Sequence, residues 1–221
     1  MGALNETPLL GVLFDMDGTL VDSTEFIEFA WSSWARDLGV ETPPLERRHG
    51  RPARDIIAEF APPERFDYAF DRLEWWETRP DAPITPRPGV HDFIARLGDI
   101  PWTVVTSATY PVALARLNAA GISVPDTMVT ARDVTRGKPD PEPFATGAAR
   151  LGLDPATCFA VEDAEAGVRA AVGAGCVTLA TSSIASERTL LAPLAHAVLP
   201  DLRGVRVEGD RTGFRILLPE S

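Results

Sequence analysis

Residues 9–20, Leu9-Leu10-Gly11-Val12-Leu13-Phe14-Asp15-Met16-Asp17-Gly18-Thr19-Leu20, constrain the fold more than any other stretch. An apolar run long enough for one strand stops abruptly at two carboxylates spaced two apart, followed by a glycine and a threonine. A run closed in this way suits a central strand of a parallel sheet, buried on both faces. In open parallel sheets, ligands collect beyond the carboxyl ends of the strands, which puts Asp15 and Asp17 where chemistry usually occurs. Taken locally, the pair reads equally well as the opening of a solvated turn, because Asp-Gly is a common turn former.

The remainder of the chain supplies the context. Ser23 or Thr24 is placed to cap a helix running to about Leu38, with Gly39 as its stop. Its apolar positions Phe26, Ile27, Phe29, Ala30, Trp34 and Leu38 cover much of the circumference, as expected of a sandwiched helix. Residues 43–85 read as helical but broken by prolines, with helices over 54–60 and 63–76 and no strand. The proline-rich stretch 79–88 reads as a stiff return linker. Beyond it, helices over 88–97, 111–120, 141–151 and 164–174 alternate with strands over 102–106, 127–130, 158–161, 177–180 and 197–199. That alternation predicts an α/β protein with a doubly wound parallel sheet. Residues 21–85 are then a helical insertion after the first strand, dividing a core of residues 1–20 and 86–221. The tail, about 203–218, alternates around a Gly/Asp turn and reads as a hairpin to which no chemistry attaches.

Charge and composition narrow the partners. The 221-residue chain carries a formal net charge of −11 with its Lys and Arg dispersed, which argues against a nucleic-acid partner. The same charge makes an anionic substrate a local problem, soluble only with a metal ion or a few focused basic groups. Cys158 and Cys176 lie in apolar surroundings without metal-ligand spacing, as expected of reduced thiols in a cytoplasmic protein. The N-terminus lacks a basic region followed by a long apolar core, and no apolar run is long enough to span a membrane. Monomer and homodimer are both compatible with the composition.

Polar residues stand at the ends of three further predicted strands or just after them. Ser107 follows Val104-Val105-Thr106 and precedes a helix start at Thr109 and Pro111, whose free N–H groups suit an anion. Lys138 sits in Gly137-Lys138-Pro139-Asp140-Pro141, where two prolines stiffen the approach. Glu162 and Asp163 follow the strand over 158–161. Singly, each has an ordinary structural explanation: a helix cap, a surface lysine, a complement to a helix dipole. Together, at one edge of one sheet, they are the parts needed for phosphoryl transfer through an aspartyl phosphate. A carboxylate serves as nucleophile, and Mg²⁺ on oxygen ligands neutralises its repulsion from the phosphate. Lysine and hydroxyl donors take up the remaining charge, while a second carboxylate protonates the leaving alkoxide and then activates water.

Phe14-Asp15-Met16-Asp17-Gly18-Thr19-Leu20, Val105-Thr106-Ser107, Gly137-Lys138-Pro139 and Val161-Glu162-Asp163-Ala164-xx-Gly167 resemble the four motifs of the haloacid-dehalogenase-like hydrolases, in that family's order. The resemblance implies a Rossmann-like core with an all-helical cap between the first two motifs. It implies Asp15 as nucleophile and Asp17 as general acid/base, with Ser107, its neighbour Ala108 and Lys138 holding the phosphoryl group. It also implies Mg²⁺ on Asp15, Asp17 through its backbone carbonyl, and Asp163, with Glu162 in or near the metal shell.

Within that family, His49-Gly50-Arg51-Pro52-Ala53-Arg54-Asp55 and Glu59-Phe60-Ala61-Pro62 resemble the small sugar-phosphate and glycerol-phosphate phosphatases, including the 2-deoxyglucose-6-phosphatase-like enzymes. His49, Arg51 and Arg54 become candidate contacts to a small phosphorylated metabolite. Members that isomerise hexose phosphates are implied to carry a histidine near the position of Ile27, which argues against a β-phosphoglucomutase-like activity here. The presence of Asp17 argues against dehalogenation, and the same residue with the insertion argues against a phospho-accepting receiver-like module.

Overall fold

A computed structural model describes residues 4–44, 51–79 and 84–219. His49 and part of the proline-rich linker, residues 80–83, lie outside the described residues. Five parallel strands form the central sheet: β1 (Gly11–Phe14), β4 (Trp102–Val104), β5 (Cys158–Glu162), β6 (Val177–Thr181) and β7 (Ala197–Leu199), in the order β4-β1-β5-β6-β7. The chain is thus an α/β protein with a Rossmann-like core. All four residues of β1 and all five of β5 are buried, because helices cover both faces and leave no polar side to alternate. Register ties the two together: Phe14 stands opposite Val161, so Asp15, just after β1, comes level with Glu162, the last residue of β5.

Three differences from the sequence reading have local causes. The strand expected over 127–130 reduces to one parallel bridge, Val105 to Val129, at the outer side of β4. Residues 43–85 were expected to contain no strand and none was expected at 21–22, yet β2 (Val21–Asp22) pairs antiparallel with β3 (Thr85–Pro86), bringing both ends of the insertion to one place. Proline suits such a two-residue edge because no continuing ladder requires its missing N–H. The helix predicted over 63–76 divides into a 3₁₀ turn, Pro63–Arg65, and a helix that begins at Phe66.

The insertion builds its own apolar centre from α1 (Thr24–Leu38), α2 (Ala53–Phe60) and α3 (Phe66–Glu77). Trp34 is fully buried there among Trp31, Ile56, Ile57 and Leu73, and its indole N–H donates to the Ala69 carbonyl at 2.7 Å. Of the six apolar positions expected to sandwich α1, Phe26 joins the sheet core instead and Phe29 is 53% exposed against Trp76. Gly39 ends α1 in the left-handed region, as its position predicts.

The sheet core packs α4 (Val90–Leu97), α5 (Tyr110–Ala119), α6 (Glu142–Arg150), α7 (Glu165–Ala174) and α8 (Ala185–Leu191) about the strands. The last of these helices was not read from the sequence. Phe14, Phe93 and Phe159 meet at its centre with ring centroids about 6 Å apart. The predicted hairpin is β8 (Arg206–Asp210) with β9 (Gly213–Leu217), and it clasps the N-terminal segment: the Ile216 N–H donates to buried Asn5 at 3.0 Å. No helix among the described residues is long and apolar enough to cross a membrane.

Candidate active site

The site forms where β1 and β5 end. Asp15 follows β1 directly, and its N–H donates to the Val161 carbonyl at 3.0 Å, so the sheet ladder itself fixes its backbone. The residue is 7% exposed. One oxygen, Oδ1, accepts from the Lys138 ammonium at 2.6 Å; the other, Oδ2, is buried with no hydrogen-bond partner among the described residues. Glu162, the last residue of β5, accepts from the same ammonium through Oε1 at 2.6 Å. Its Oε2 accepts from the N–H groups of Asp163 and Ala164 at 2.8 and 2.9 Å.

One ammonium therefore stands between two buried carboxylates and can neutralise only one of them. Burial first, and then the neighbouring Glu162, push the Asp15 pKa up to about 7 against the opposing pull of Lys138. Burial raises Glu162 as well, again against Lys138. For Lys138 burial acts in the lowering sense, but Asp15 and Glu162 outweigh it and hold the ammonium above its ordinary value.

Carboxylate oxygens of Asp15, Glu162 and Asp163 lie within 4.8 Å of one another. An all-oxygen, acidic donor set of this kind fits a hard divalent cation such as Mg²⁺. The unpartnered Asp15 Oδ2 is the observation in favour of that fit. Both carboxylate oxygens of Glu162 already accept hydrogen bonds from the protein, as do both of Asp17. The geometry of Glu162 orients Lys138. Space at the cluster is kept by glycine: a Cβ on Gly18, whose φ of +85° already favours glycine, would collide with the Asp163 carboxylate, and one on Gly167 would collide with that of Glu162.

Asp17 faces elsewhere. Its Oδ1 accepts from the Ser23 hydroxyl at 2.5 Å and its Oδ2 from the Arg116 guanidinium at 2.6 Å. The side chain of Ser23 thus binds Asp17 rather than capping α1. Thr109 likewise precedes α5 without a side-chain cap and donates instead to Glu74 of α3 at 2.6 Å.

Above these groups lies a cavity of about 260 Å³, roofed by the helical insertion. Ser107, Ala108, Asp15, Asp17, Glu162 and Asp163 line its floor. The Ala108 N–H donates to the Thr106 hydroxyl at 3.1 Å. Arg51 reaches the cavity half-buried and is paired with Glu59 at 2.7 Å. Arg54 does not reach it: exposed on the outer side of α2, it lies over the Phe66 ring at 5.8 Å, which removes it from the candidate contacts. His49 lies outside the described residues.

The cavity also takes in Arg87, Arg116, Glu77, Ser182, Ser183 and Glu187, none of which the sequence reading singled out. For Ser182 and Ser183 the signal was present, since they follow β6 at the same edge of the sheet. For Arg116 the only signal was a lone arginine in the otherwise apolar run Val112-Ala113-Leu114-Ala115-Arg116-Leu117. Ile27 lines the cavity with an apolar side chain.

The family model described as "Haloacid dehalogenase-like hydrolase" matches residues 12–181. Hexitol phosphatase A of Escherichia coli (strain K12) is 44% identical over 186 residues, covering 81% of this chain and 86% of that protein. Validoxylamine A 7'-phosphate phosphatase of Streptomyces hygroscopicus subsp. limoneus is 35% identical over 206 residues, covering 88% of this chain and 94% of that protein. Among solved structures, CbbY from Rhodobacter sphaeroides in complex with phosphate superposes with a TM-score of 0.76 at 23% identity, covering 89% of this chain and 96% of that one; it supports the fold.

Proposed function

The chain belongs to the haloacid dehalogenase-like hydrolases, a phosphatase by its relatives, and within that class we propose that it hydrolyses a small sugar or polyol monophosphate through an aspartyl phosphate. The observation that carries this reading is the Asp15 carboxylate. One oxygen is anchored by Lys138 and the other is unpartnered, on the floor of a small cavity beside Asp163.

In this reading the anchored oxygen holds the carboxylate still while Oδ2 attacks phosphorus. The ester oxygen leaves with a proton from Asp17, and Asp15 carries the phosphoryl group. Asp17, now a base, takes a proton from water, which attacks the acyl phosphate and restores Asp15 as phosphate departs. Ser107, the Ala108 region and Lys138 surround the equatorial oxygens and take up their charge. Asp15, Asp163 and the backbone carbonyl of Asp17 would hold Mg²⁺, which supplies charge neutralisation between carboxylate and phosphate. Glu162 keeps Lys138 directed at Asp15.

We take residues 21–85 as the cap, with the β2–β3 pair as its attachment and Arg51 as its contact to the substrate's alcohol portion. The cavity volume, about 260 Å³, is near the lower end for ligand pockets and suits a small metabolite. The names of the two relatives support a polyhydroxylated alcohol. Ile27, apolar in the cavity wall, cannot relay a proton to a sugar hydroxyl, which supports hydrolysis over isomerisation. A cytoplasmic location agrees with its two buried thiols.

The test is turnover of p-nitrophenyl phosphate and of a panel of C3 to C6 sugar and polyol phosphates with Mg²⁺, ranked by kcat/KM. Sustained hydrolysis that stops on chelation is expected, with polyol or sugar phosphates at the top of the ranking. A single phosphorylation of Asp15 without turnover would refute a hydrolase and leave a phospho-acceptor.

A further inference from the structure

The hydrolytic cycle above uses Asp17 but leaves unexplained the guanidinium that grips it. Arg116 projects from α5 and is 2% exposed. A buried arginine is tolerated only where carboxylates meet its donors. Here Nη1 donates to Asp17 Oδ2 at 2.6 Å and Nη2 to Glu77 Oε1 at 2.9 Å. Nε is buried without a partner among the described residues, and the fork is spread across two carboxylates rather than matched to one.

Those carboxylates come from different parts of the fold. Asp17 lies in the turn after β1, while Glu77 is the last residue of α3. Ser23, just after β2, holds the second Asp17 oxygen at 2.5 Å. Asp17, Arg116 and Glu77 all line the cavity. A carboxylate on a turn has two soft side-chain torsions, and proton transfer needs heavy atoms within roughly 2.6–3.2 Å of each other. Gripping each oxygen separately removes that freedom.

We propose that Arg116 is the positioning residue for Asp17, and that Glu77 couples this positioning to the seat of the helical insertion. The inference rests on the reading of Asp17 as the acid/base. Arg116 acts through Asp17 and touches no reacting atom. Lysine cannot replace it in full, because its one nitrogen cannot stand where the two separate nitrogens Nη1 and Nη2 meet Asp17 and Glu77.

The leaving group distinguishes positioning from mere stability. Departure of an alkoxide needs the proton from Asp17, whereas p-nitrophenolate leaves readily without one. Single-turnover measurements with enzyme in excess isolate this first step, using glycerol 1-phosphate and p-nitrophenyl phosphate. Arg116→Gln is expected to slow glycerol release by about 10²-fold and nitrophenol release by less than about fivefold. Arg116→Lys, which keeps the buried charge, is expected to give a selective loss of about tenfold, and it carries the test if the glutamine variant does not fold. Equal slowing of both esters, or no slowing in a folded variant, overturns the proposal. Wild-type enzyme that cleaves neither ester would instead refute the phosphatase reading, which the same experiment reports separately.

Discussion

The sheet edge and the helical insertion contribute to one cavity by different physics. At the sheet edge, Asp15, Lys138 and Glu162 meet through two 2.6 Å contacts, and all three side chains are buried. Their backbones are set by strand register and by the loop that returns to it, so little freedom is left to the side chains. In the insertion, Arg51 is half-buried on Glu59 and Arg54 turns outward onto Phe66. Position there depends on how three helices pack around Trp34, and a rotation of one helix by a single residue redirects a side chain by about 100°. In the proposed reading, chemistry is placed where the backbone leaves little choice, and recognition where packing is free to vary.

The largest expected effect attacks the sheet edge alone. Asp15→Asn should lower kcat by at least about 10⁴-fold with the fold intact, as measured by phosphate release with Mg²⁺. The same variant separates charge from chemistry. Folded Asp15 holds its proton more tightly than an ordinary carboxylate, with a pKa of about 7 against 3.8, so its ionisation destabilises the folded chain. Stability in a chelating buffer should therefore fall as pH rises from about 4 to about 7. Asp15→Asn should flatten that slope, and Mg²⁺ should reduce it in the wild type by neutralising the cluster. Melting curves from pH 5 to 8 check both; a slope identical in wild type and variant would remove Asp15 as its cause.

Lys138→Met leaves two buried carboxylates facing each other and should destabilise the protein by about 3–5 kcal/mol, read by chemical denaturation at pH 7.5. Trp34→Ala should cost about 3–5 kcal/mol of packing within the insertion. Its mark is regional: hydrogen exchange should accelerate in α1 to α3 while β1 and β5 stay protected. Uniform acceleration would show that the insertion has no separate stability and would break the comparison between the two regions. Smallest are the surface contacts. Arg51→Ala should raise KM for a polyol phosphate about threefold to tenfold with kcat nearly unchanged, the signature of uniform binding. Arg54→Ala should change neither parameter by more than about twofold, since it is exposed on α2 and lies over the Phe66 ring.

Much of the fold is legible in the sequence because period and punctuation agree: buried runs such as 11–14 and 158–161 have no polar face, and Gly39 and Gly175 stop helices in the left-handed region. Strand 127–130 was over-read because a short β-branched run cannot by itself reveal whether a neighbour continues the ladder. The two-residue β2–β3 pair was under-read for the converse reason: Val21 and Pro86 are 65 residues apart and only tertiary folding brings them together.

By itself, the sequence determined which residues stand at the carboxyl edge of the sheet. Asp15, Ser107, Glu162 and Asp163 each follow a buried run at a fixed offset, and register carries that offset into space. Tertiary structure alone decided what those residues touch. Arg116 reaches Asp17 across 99 residues, and Ser23 binds Asp17 rather than the helix it precedes. The phase of a helix against its neighbours, which selects the side chains facing a cavity, is set by packing volume and not by local periodicity.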